Sequence, residues 1–324
     1  MKAIRCKAYG PPSSLVLEEV ENLKPKAKEV LVAVKACGLN FPDTLIIQGL
    51  YQFKPELPFT PGSDVAGVVK KVGEGVSHLK VGQEVFGFVA HGGLAEEVLV
   101  PANACFPKPT QMDFPTAASF LMAYGTSYHA LKDRGRLTEG ETLLVLGASG
   151  GVGLAAVELG KLMGAKVIAA ASTDEKLALC KEYGADETIN YTTQDLKATI
   201  KEITAGNGVD VVYDPVGGVY SEAALRGTAW NGRFLVVGFA AGDIPKIPLN
   251  LPLLKGASVV GVFWGAFAMR NFKANMQNTM TLMQWHAEGK LKPHIHAIYD
   301  LADTSKALKE MTDRKVKGKL IVQI

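Results

Sequence analysis

The rhythm of apolar and polar positions changes near residue 115. Before it the pattern is short and alternating: Val30 to Ala36 alternates as a strand should, and Val65 to Val72 and Glu84 to Val89 read as further strands. Pro and Gly punctuate these runs at Pro11-Pro12, Pro42, Pro55, Pro58, Pro61-Gly62, Gly73, Gly75, Gly82 and Gly92-Gly93. The segment up to about residue 120 therefore reads as an irregular, barrel-like β domain. From Phe114-Pro115-Thr116 onward, short apolar runs alternate with helical stretches. They predict helix 117–131, strand 142–146, helix 152–163, strand 166–171, helix 174–183, strand 187–190, helix 193–204, strand 209–214, helix 220–229, strand 233–237 and a last strand 258–263. That alternation implies a doubly wound parallel sheet with helices on both faces. After about residue 266 come a long helix 272–289, a strand 294–300, a short helix from Thr304 and a closing strand 319–324. This tail is not another strand–helix–strand repeat and is expected to return to the first domain.

Composition narrows the class. A chain of 324 residues suits two cores, and 48% hydrophobic residues suffice to fill them. Net charge is only +3 with no long basic run, which argues against nucleic acid as a partner. Cys6, Cys37, Cys105 and Cys180 are scattered and form no CxxC pair, as expected of a reducing compartment without a clustered zinc site. The start, MKAIRCKAYG, has no apolar signal core, and no apolar span reaches membrane-crossing length. A soluble cytoplasmic protein is expected.

The strongest chemical signal lies at 143–153, LLVLGASGGVG. An apolar strand breaks into a small-residue turn and continues as an Ala-rich helix, which brings backbone N–H groups up to a pyrophosphate. The fingerprint is Ala148-x-Gly150-x-x-Gly153, with Ser149, Gly150, Gly151 and Val152 as the turn's phosphate contacts. Dinucleotide sites for NAD place a carboxylate roughly 20 residues on, at the end of the second strand. Here that end reads Ala169-Ala170-Ala171-Ser172-Thr173, and Asp174 and Glu175 fall in the next helix, which Thr173 caps. A neutral strand end with Ser172, and Lys176 one helical turn on, suits the 2′-phosphate of NADPH. Taken alone, Lys176 reads as a solvated helix lysine before it reads as a phosphate ligand.

With a turn-rich β domain first and a dinucleotide domain second, the chain resembles the medium-chain dehydrogenase/reductase superfamily, and within it the zinc-free NADPH:quinone oxidoreductase (zeta-crystallin-like) branch. The resemblance spans nearly the whole length. It rests on GLNFPDTLIIQGLY (38–51), LPFTPGSDVAGVV (57–69), LGASGGVG (146–153), INY (189–191), VYDPVGG (212–218), WNGRFLVVGFAAG (230–242) and the tail VKGKLIVQI. It implies a GroES-like catalytic domain, 1–122 with 266–324, and a Rossmann NADPH-binding domain, 123–265. Zinc-dependent relatives carry ligands at positions that here look to be Asn40, Ser63 and Met122, and their Cys-rich lobe is missing between Phe86 and Glu97, so no metal is expected. The pair His294-x-His296 has no evident third ligand and reads as structural.

The resemblance also implies roles. Asn40 is expected near the nicotinamide ribose, with Asp43 supporting its loop, although both also fit a turn and helix start. Tyr51 matches a proton donor of related enoyl-thioester reductases, although a tyrosine at a domain edge is also amphipathic packing. A family cleft tyrosine is Leu45 here, which alters the pocket. Tyr191 joins Ser172 and Lys176 at the 2′-phosphate, and Thr126 contacts the cofactor. Gly238, Phe239, Phe263, Trp264 and Gly265 wall the nicotinamide, with core or dimer packing the alternative for Phe263 and Trp264. The last strand, near 258–263, pairs across a two-fold axis to make a homodimer. The implied reaction is hydride transfer from NADPH to a quinone, without metal, in a cleft between the domains. Two alternatives stay open: an enone, enal or enoyl-thioester reductase with Tyr51 as acid, and an NADPH-binding crystallin-like or RNA-binding protein with little turnover.

Overall fold

A computed structural model describes all residues, 1–324. The chain forms two units, Met1–Met122 with Pro293–Ile324, and Ala123–Lys292. In chain order the strands of the first unit are β1 (Lys2–Arg5), β2 (Val16–Glu19), β3 (Glu29–Leu39), β4 (Asp64–Val72), β5 (Glu84–Phe88), β6 (Glu97–Pro101) and β7 (Cys105–Pro107). The second unit holds β8 (Thr142–Leu146), β9 (Lys166–Ala171), β10 (Glu187–Asn190), β11 (Val209–Asp214), β12 (Thr228–Val236) and β13 (Ser258–Gly261). The chain then returns to the first unit with β14 (Ile295–Asp300) and β15 (Lys319–Gln323).

In the first unit a seven-stranded sheet runs β14-β15-β3-β4-β5-β7, with β6 also on β3. β3 is its longest strand. Its register slips between Leu31 and Val32 and between Val34 and Ala36 opposite β4, which bends the sheet around its core. The C-terminal strand β15 runs antiparallel to β3 with Leu320 opposite Leu39 and Ile321 opposite Gly38. Leu320, Val322, Ala307 and Leu308 from the tail join Val32, Val34, Leu39 and Val65 in one core.

The second unit is built on a six-stranded sheet in the order β10-β9-β8-β11-β12-β13, parallel throughout. Leu143, Leu144, Val145 and Leu146 are fully buried because helices cover both faces, which is why β8 reads as an unbroken apolar run. The strand order reverses between β8 and β11, the place where sheets of this kind bind ligands beyond their carboxyl ends.

Several boundaries differ from expectation, each for a local reason. The single helix predicted over 117–131 is three pieces: Phe114–Ala118, capped by Asp113, then Leu121–Tyr128 and a π-helical turn His129–Arg134. The helix predicted from Thr193 starts at Leu196, because the Asp195 side chain accepts the Ala198 N–H and Thr193 N–H turns back to Asn190 O. The helix predicted over 220–229 ends at Arg226, and β12 begins at Thr228 rather than Arg233. The strand predicted to Phe263 stops at Gly261, since Phe263 caps a new helix, Trp264–Arg270.

The largest correction concerns 266–292, which belongs to the second unit and not the first. Its long helix, Phe272–Ala287, is held there by buried polar contacts. Lys132 Nζ donates to Asn278 Oδ1 at 2.7 Å, Asn278 Nδ2 donates to Asp133 Oδ2 at 2.8 Å, and Trp264 Nε1 donates to Asn275 Oδ1 at 3.0 Å. None of these pairings is visible in helix periodicity. Replacing Asn278 by Ala removes both of its bonds and should lower the stability of the second unit by about 1–3 kcal/mol. A thermal melt reads this directly, and an unchanged midpoint would mean that apolar packing alone retains the helix.

Candidate functional site

At the switch point β8 runs into the small-residue turn. Gly147 has φ +56°, and Ala148 N–H donates to Ala170 O at 3.1 Å, tying the turn to β9. Gly150 then caps a helix, Gly151–Leu162, whose first N–H groups have no partner within the helix. A Cβ on Gly153 would lie 2.2 Å from Gly147 O and 2.9 Å from Ala148 Cα, so only glycine lets the helix come this close to the strand end. Ser149 is buried in the turn. Ser127 Oγ donates to Val152 O at 2.7 Å and shares a 2.9 Å bond with Tyr213 OH, which ties the helix carrying Thr126 to the glycine turn. Thr126 itself is half-buried. Gly150 N–H is taken up by Gly147 O at 3.0 Å, which closes the turn and places the start of the helix just beyond the end of β8.

Ser172, Lys176 and Tyr191 come together at the carboxyl ends of β9 and β10. Lys176 Nζ donates to Ser172 Oγ at 3.3 Å, and Tyr191 N–H donates to Ala171 O at 3.2 Å. The Tyr191 ring packs on Tyr220 with centroids 4.3 Å apart. Asp174, the first acid past the strand end, accepts from Asn190 Nδ2 at 2.7 Å. Lys176 and Ser172 thus meet through their side chains, and Tyr191 joins them through its backbone at the strand end.

Two loops flank the switch point on its other side. Asp214, buried at the end of β11, accepts from Val216 N–H (2.8 Å), Gly217 N–H (2.9 Å) and Ser221 Oγ (2.6 Å). Ala240 N–H and Ala241 N–H bond back to Pro215 O and Val216 O, so the loop bearing Gly238 and Phe239 is clamped to the loop after β11. Phe263 is 55% exposed, and Gly265 sits in the first turn of its helix. For the Trp264 side chain the core-packing alternative holds. Its indole is buried against Gly125, where a Cβ would lie 2.8 Å from Cε2, and its N–H is engaged by Asn275. The indole is therefore core packing, and only the Trp264 backbone is left to wall a ligand.

In the first unit the segment 38–51 forms a second cluster. Asn40 precedes a short helix, Phe41–Ile46. Asp43 Oδ2 accepts the Asn40 N–H at 2.8 Å and Asp43 Oδ1 accepts the Gly62 N–H at 3.2 Å. Burial pushes the Asp43 carboxyl up to about 6, against these two donors and the Lys319 charge. With both oxygens on backbone amides, Asp43 ties the Asn40 loop to the Gly62 turn. Tyr51 is half-buried against the unit's core, and burial together with the Asp43 charge pushes its phenol upward, so it stays protonated.

The Asn40 side chain is also engaged. Its Nδ2 donates to Asp64 Oδ2 at 3.1 Å and Gly38 O at 3.3 Å, and its Oδ1 accepts from Lys319 Nζ. Asp64 takes Met122 N–H at 3.2 Å on its other oxygen and faces Lys319 Nζ at 3.5 Å. Burial pushes the Asp64 carboxyl up while Lys319 and Asn40 pull it down. Asp64 and Lys319 were not anticipated. The signals were an acid opening the apolar run DVAGVV and a lysine opening the apolar strand KLIVQ, and only the fold makes them neighbours.

The three positions expected to replace zinc ligands do converge, since Asn40 and Met122 both bond Asp64 and Ser63 Oγ lies 3.5 Å from Asn40 Nδ2. No group of three or more His, Cys, Asp or Glu side chains in the structure could hold a metal ion. An asparagine, a serine and a methionine at these three positions are not a zinc-ligand set. His296 is paired with Glu310 at 3.1 Å.

Comparison with known proteins agrees with this architecture. Residues 26–110 match the family described as alcohol dehydrogenase GroES-like domain, and 151–285 match that described as zinc-binding dehydrogenase. A quinone oxidoreductase-like protein 2 homolog of Nematostella vectensis is 40% identical over 99% of this chain and 88% of its own length. The Escherichia coli quinone oxidoreductase, solved with NADPH, is 30% identical with a TM-score of 0.94, covering both chains fully. The CurK enoyl reductase is 28% identical with a TM-score of 0.91, over 99% of this chain and 98% of that one. Identity at this level and coverage, on a GroES-like unit joined to a six-stranded parallel sheet, makes the chain a member of the medium-chain dehydrogenase/reductase superfamily, in its quinone oxidoreductase-like family.

Proposed function

We propose that this protein is an NADPH-dependent oxidoreductase that reduces quinones. The observation that carries the reading is the gathering of Ser172, Lys176 and Tyr191 at the ends of β9 and β10, with the nearest acid, Asp174, turned to Asn190. That arrangement favours a 2′-phosphate over a 2′-hydroxyl. The relatives' names and the NADPH complex of the Escherichia coli enzyme support it.

The amides of Ser149 to Val152 would hold the pyrophosphate, and Thr126, Gly238, Phe239, Phe263 and the backbone of Trp264 and Gly265 would border the nicotinamide. NADPH, when bound, supplies the hydride. With no Lewis-acid donor set, activation of the acceptor rests on conjugation within the acceptor itself, as in a quinone. Tyr51, a protonated phenol on the loop that Asn40 and Asp43 hold, is the group available to donate a proton. The same feature favours a second reading, reduction of an enone or enoyl thioester with Tyr51 as acid, as the likeness to an enoyl reductase suggests.

Steady-state NADPH oxidation with 9,10-phenanthrenequinone and, in parallel, a short-chain enone tests this, with NADH as control. Quinone turnover with preference for NADPH is expected. Comparable enone turnover would move the assignment to the second reading, and no oxidation with either acceptor would point to an NADPH-binding protein without turnover. Lys176→Ala should raise KM for NADPH about tenfold or more and leave KM for NADH nearly unchanged, the signature of a lost charge-assisted phosphate contact. Tyr51→Phe should leave quinone turnover intact, and under the second reading it should cut enone turnover by about a hundredfold.

The partner surface we propose is the β13 edge. This strand ends the parallel sheet, and Val259 on it and Leu249, Leu253 and Leu254 beside it are exposed. An apolar open edge favours pairing with a second copy. Sedimentation should give twice the chain mass, and Val259→Lys should give a monomer. A monomeric wild type would remove the proposal.

A further inference from the structure

We infer that Lys319 is a positioning residue of the Asn40 site, and that its ammonium is the resident cation at the place where zinc-dependent relatives carry their ligands. The inference deepens the proposed hydride transfer and rests on that reading for its kinetic arm.

The register sets it up. Leu320 pairs with Leu39 in the antiparallel β15–β3 ladder, so the next step along the two strands sets Lys319 beside Asn40. Lys319 is 4% exposed and Asp64 1% exposed. An ammonium that deeply buried persists only when paired. Its partners are Asn40 Oδ1 and Asp64 Oδ2, contributed from positions 279 and 255 residues away in sequence.

The chemistry of these three groups fixes an orientation. A side-chain amide has one accepting and one donating end that differ little in shape. Lysine can only donate and an ionised carboxylate can only accept. Placed between them, Asn40 has a single arrangement that satisfies all three: Oδ1 toward Lys319 and Nδ2 toward Asp64, as observed. The same residue donates its backbone N–H to Asp43, whose other oxygen holds Gly62. Lys319 thereby sets the first residue of the segment that leads to Tyr51. Asp64 also carries Met122 N–H, so Asn40 and Met122 are both held by one carboxylate whose counter-charge is an ammonium. At this cluster the cation is part of the chain: the Lys319 ammonium faces Asp64 and is bonded to Asn40.

The test uses the full-length protein. Lys319→Met alone would leave Asp64 without its counter-ion, so the informative variant is Lys319→Met/Asp64→Asn, which removes both charges together. If that pair fails to fold, Lys319→Gln/Asp64→Asn takes its place with more polar capacity. The expected result is a KM for NADPH within about twofold of wild type and a quinone kcat lower by at least about tenfold, since a displaced loop loses alignment and not cofactor affinity. Lys319→Arg, which keeps the charge and the donors, should regain most of that kcat. Amide hydrogen exchange across 40–48 should quicken in the charge-free variant and stay slow in Lys319→Arg. Wild-type turnover should be indifferent to a zinc chelator.

A charge-free variant with kcat within about twofold of wild type would overturn the inference, and so would chelator-sensitive wild-type activity. A wild type that reduces neither acceptor would refute the functional reading alone. Exchange across 40–48 then decides the role of Lys319, and rates equal to wild type in the charge-free variant would overturn it.

Discussion

A buried ammonium has no water to solvate it, and in the first unit that requirement is met by residues the chain brings from both of its ends. Lys319 lies in the last strand, and Asn40 and Asp64 lie in the first third of the sequence. Their meeting requires β15 to sit beside β3 in one register, because a slip of one residue would turn Lys319 to the other face of the sheet. The pair therefore does more for specificity than for stability. A buried ion pair is close to neutral against an apolar replacement, whereas an incorrectly docked β15 would leave two uncompensated charges in the core. The Asn40 loop, the Gly62 turn and the entry to Met122 all hang from groups that this pair orients.

The second unit depends on a constraint of a different kind, steric closeness. Gly153 permits the helix to approach the Gly147 carbonyl, and the N–H groups at the helix start are consequently aimed beyond the carboxyl ends of the strands. Asp214 fixes the neighbouring loop by accepting three donors. Under the proposed function the cradle here is backbone, and Ser172, Lys176 and Tyr191 are the side chains that would add selectivity at its rim. That division explains why the candidate residues of the second unit could be picked out from the sequence. Glycine spacing, an apolar run and the residues at one strand end are all local, and each has a direct geometric meaning.

The cluster of the first unit was less legible because its interactions are not local. Asn40 and Tyr51 stood out through a resemblance, but nothing near them in sequence announces Lys319. For Asp43 the sequence left a loop support and a helix-start acid side by side, and only the fold shows both oxygens engaged by the backbone of Asn40 and Gly62. For Trp264 it left a cofactor wall and core packing open, and the space above Gly125 is what the indole fills. The tail 266–292 was placed with the wrong unit for a similar reason: the amide of Asn278 and the Lys132–Asp133 pair decide where the long helix docks, and helix amphipathicity cannot see them. Strand positions were read well where both faces are buried, as in β8, β9 and β11, since such strands carry their burial in composition alone.

The Lys319–Asp64 pair also limits the chemistry open to the first unit. A metal at the Asn40 position would polarise an acceptor oxygen by direct ligation. An ammonium already bonded to Asn40 Oδ1 and facing Asp64 cannot do the same, because its charge is compensated by a carboxylate and its donors are directed at the protein. Under the proposed function, what the first unit offers the substrate is then order rather than electrophilic pull: a fixed loop, a protonated Tyr51 and a site shaped by Leu45 and its neighbours. Hydride transfer under those conditions favours acceptors whose own conjugation stabilises the charge that the hydride brings. A quinone meets that demand without a proton arriving in the same step, whereas an enone leans harder on an acid. The choice between the two proposed substrate classes thus falls on how well the Asn40 loop presents Tyr51, and it traces back to a lysine hundreds of residues away in the sequence.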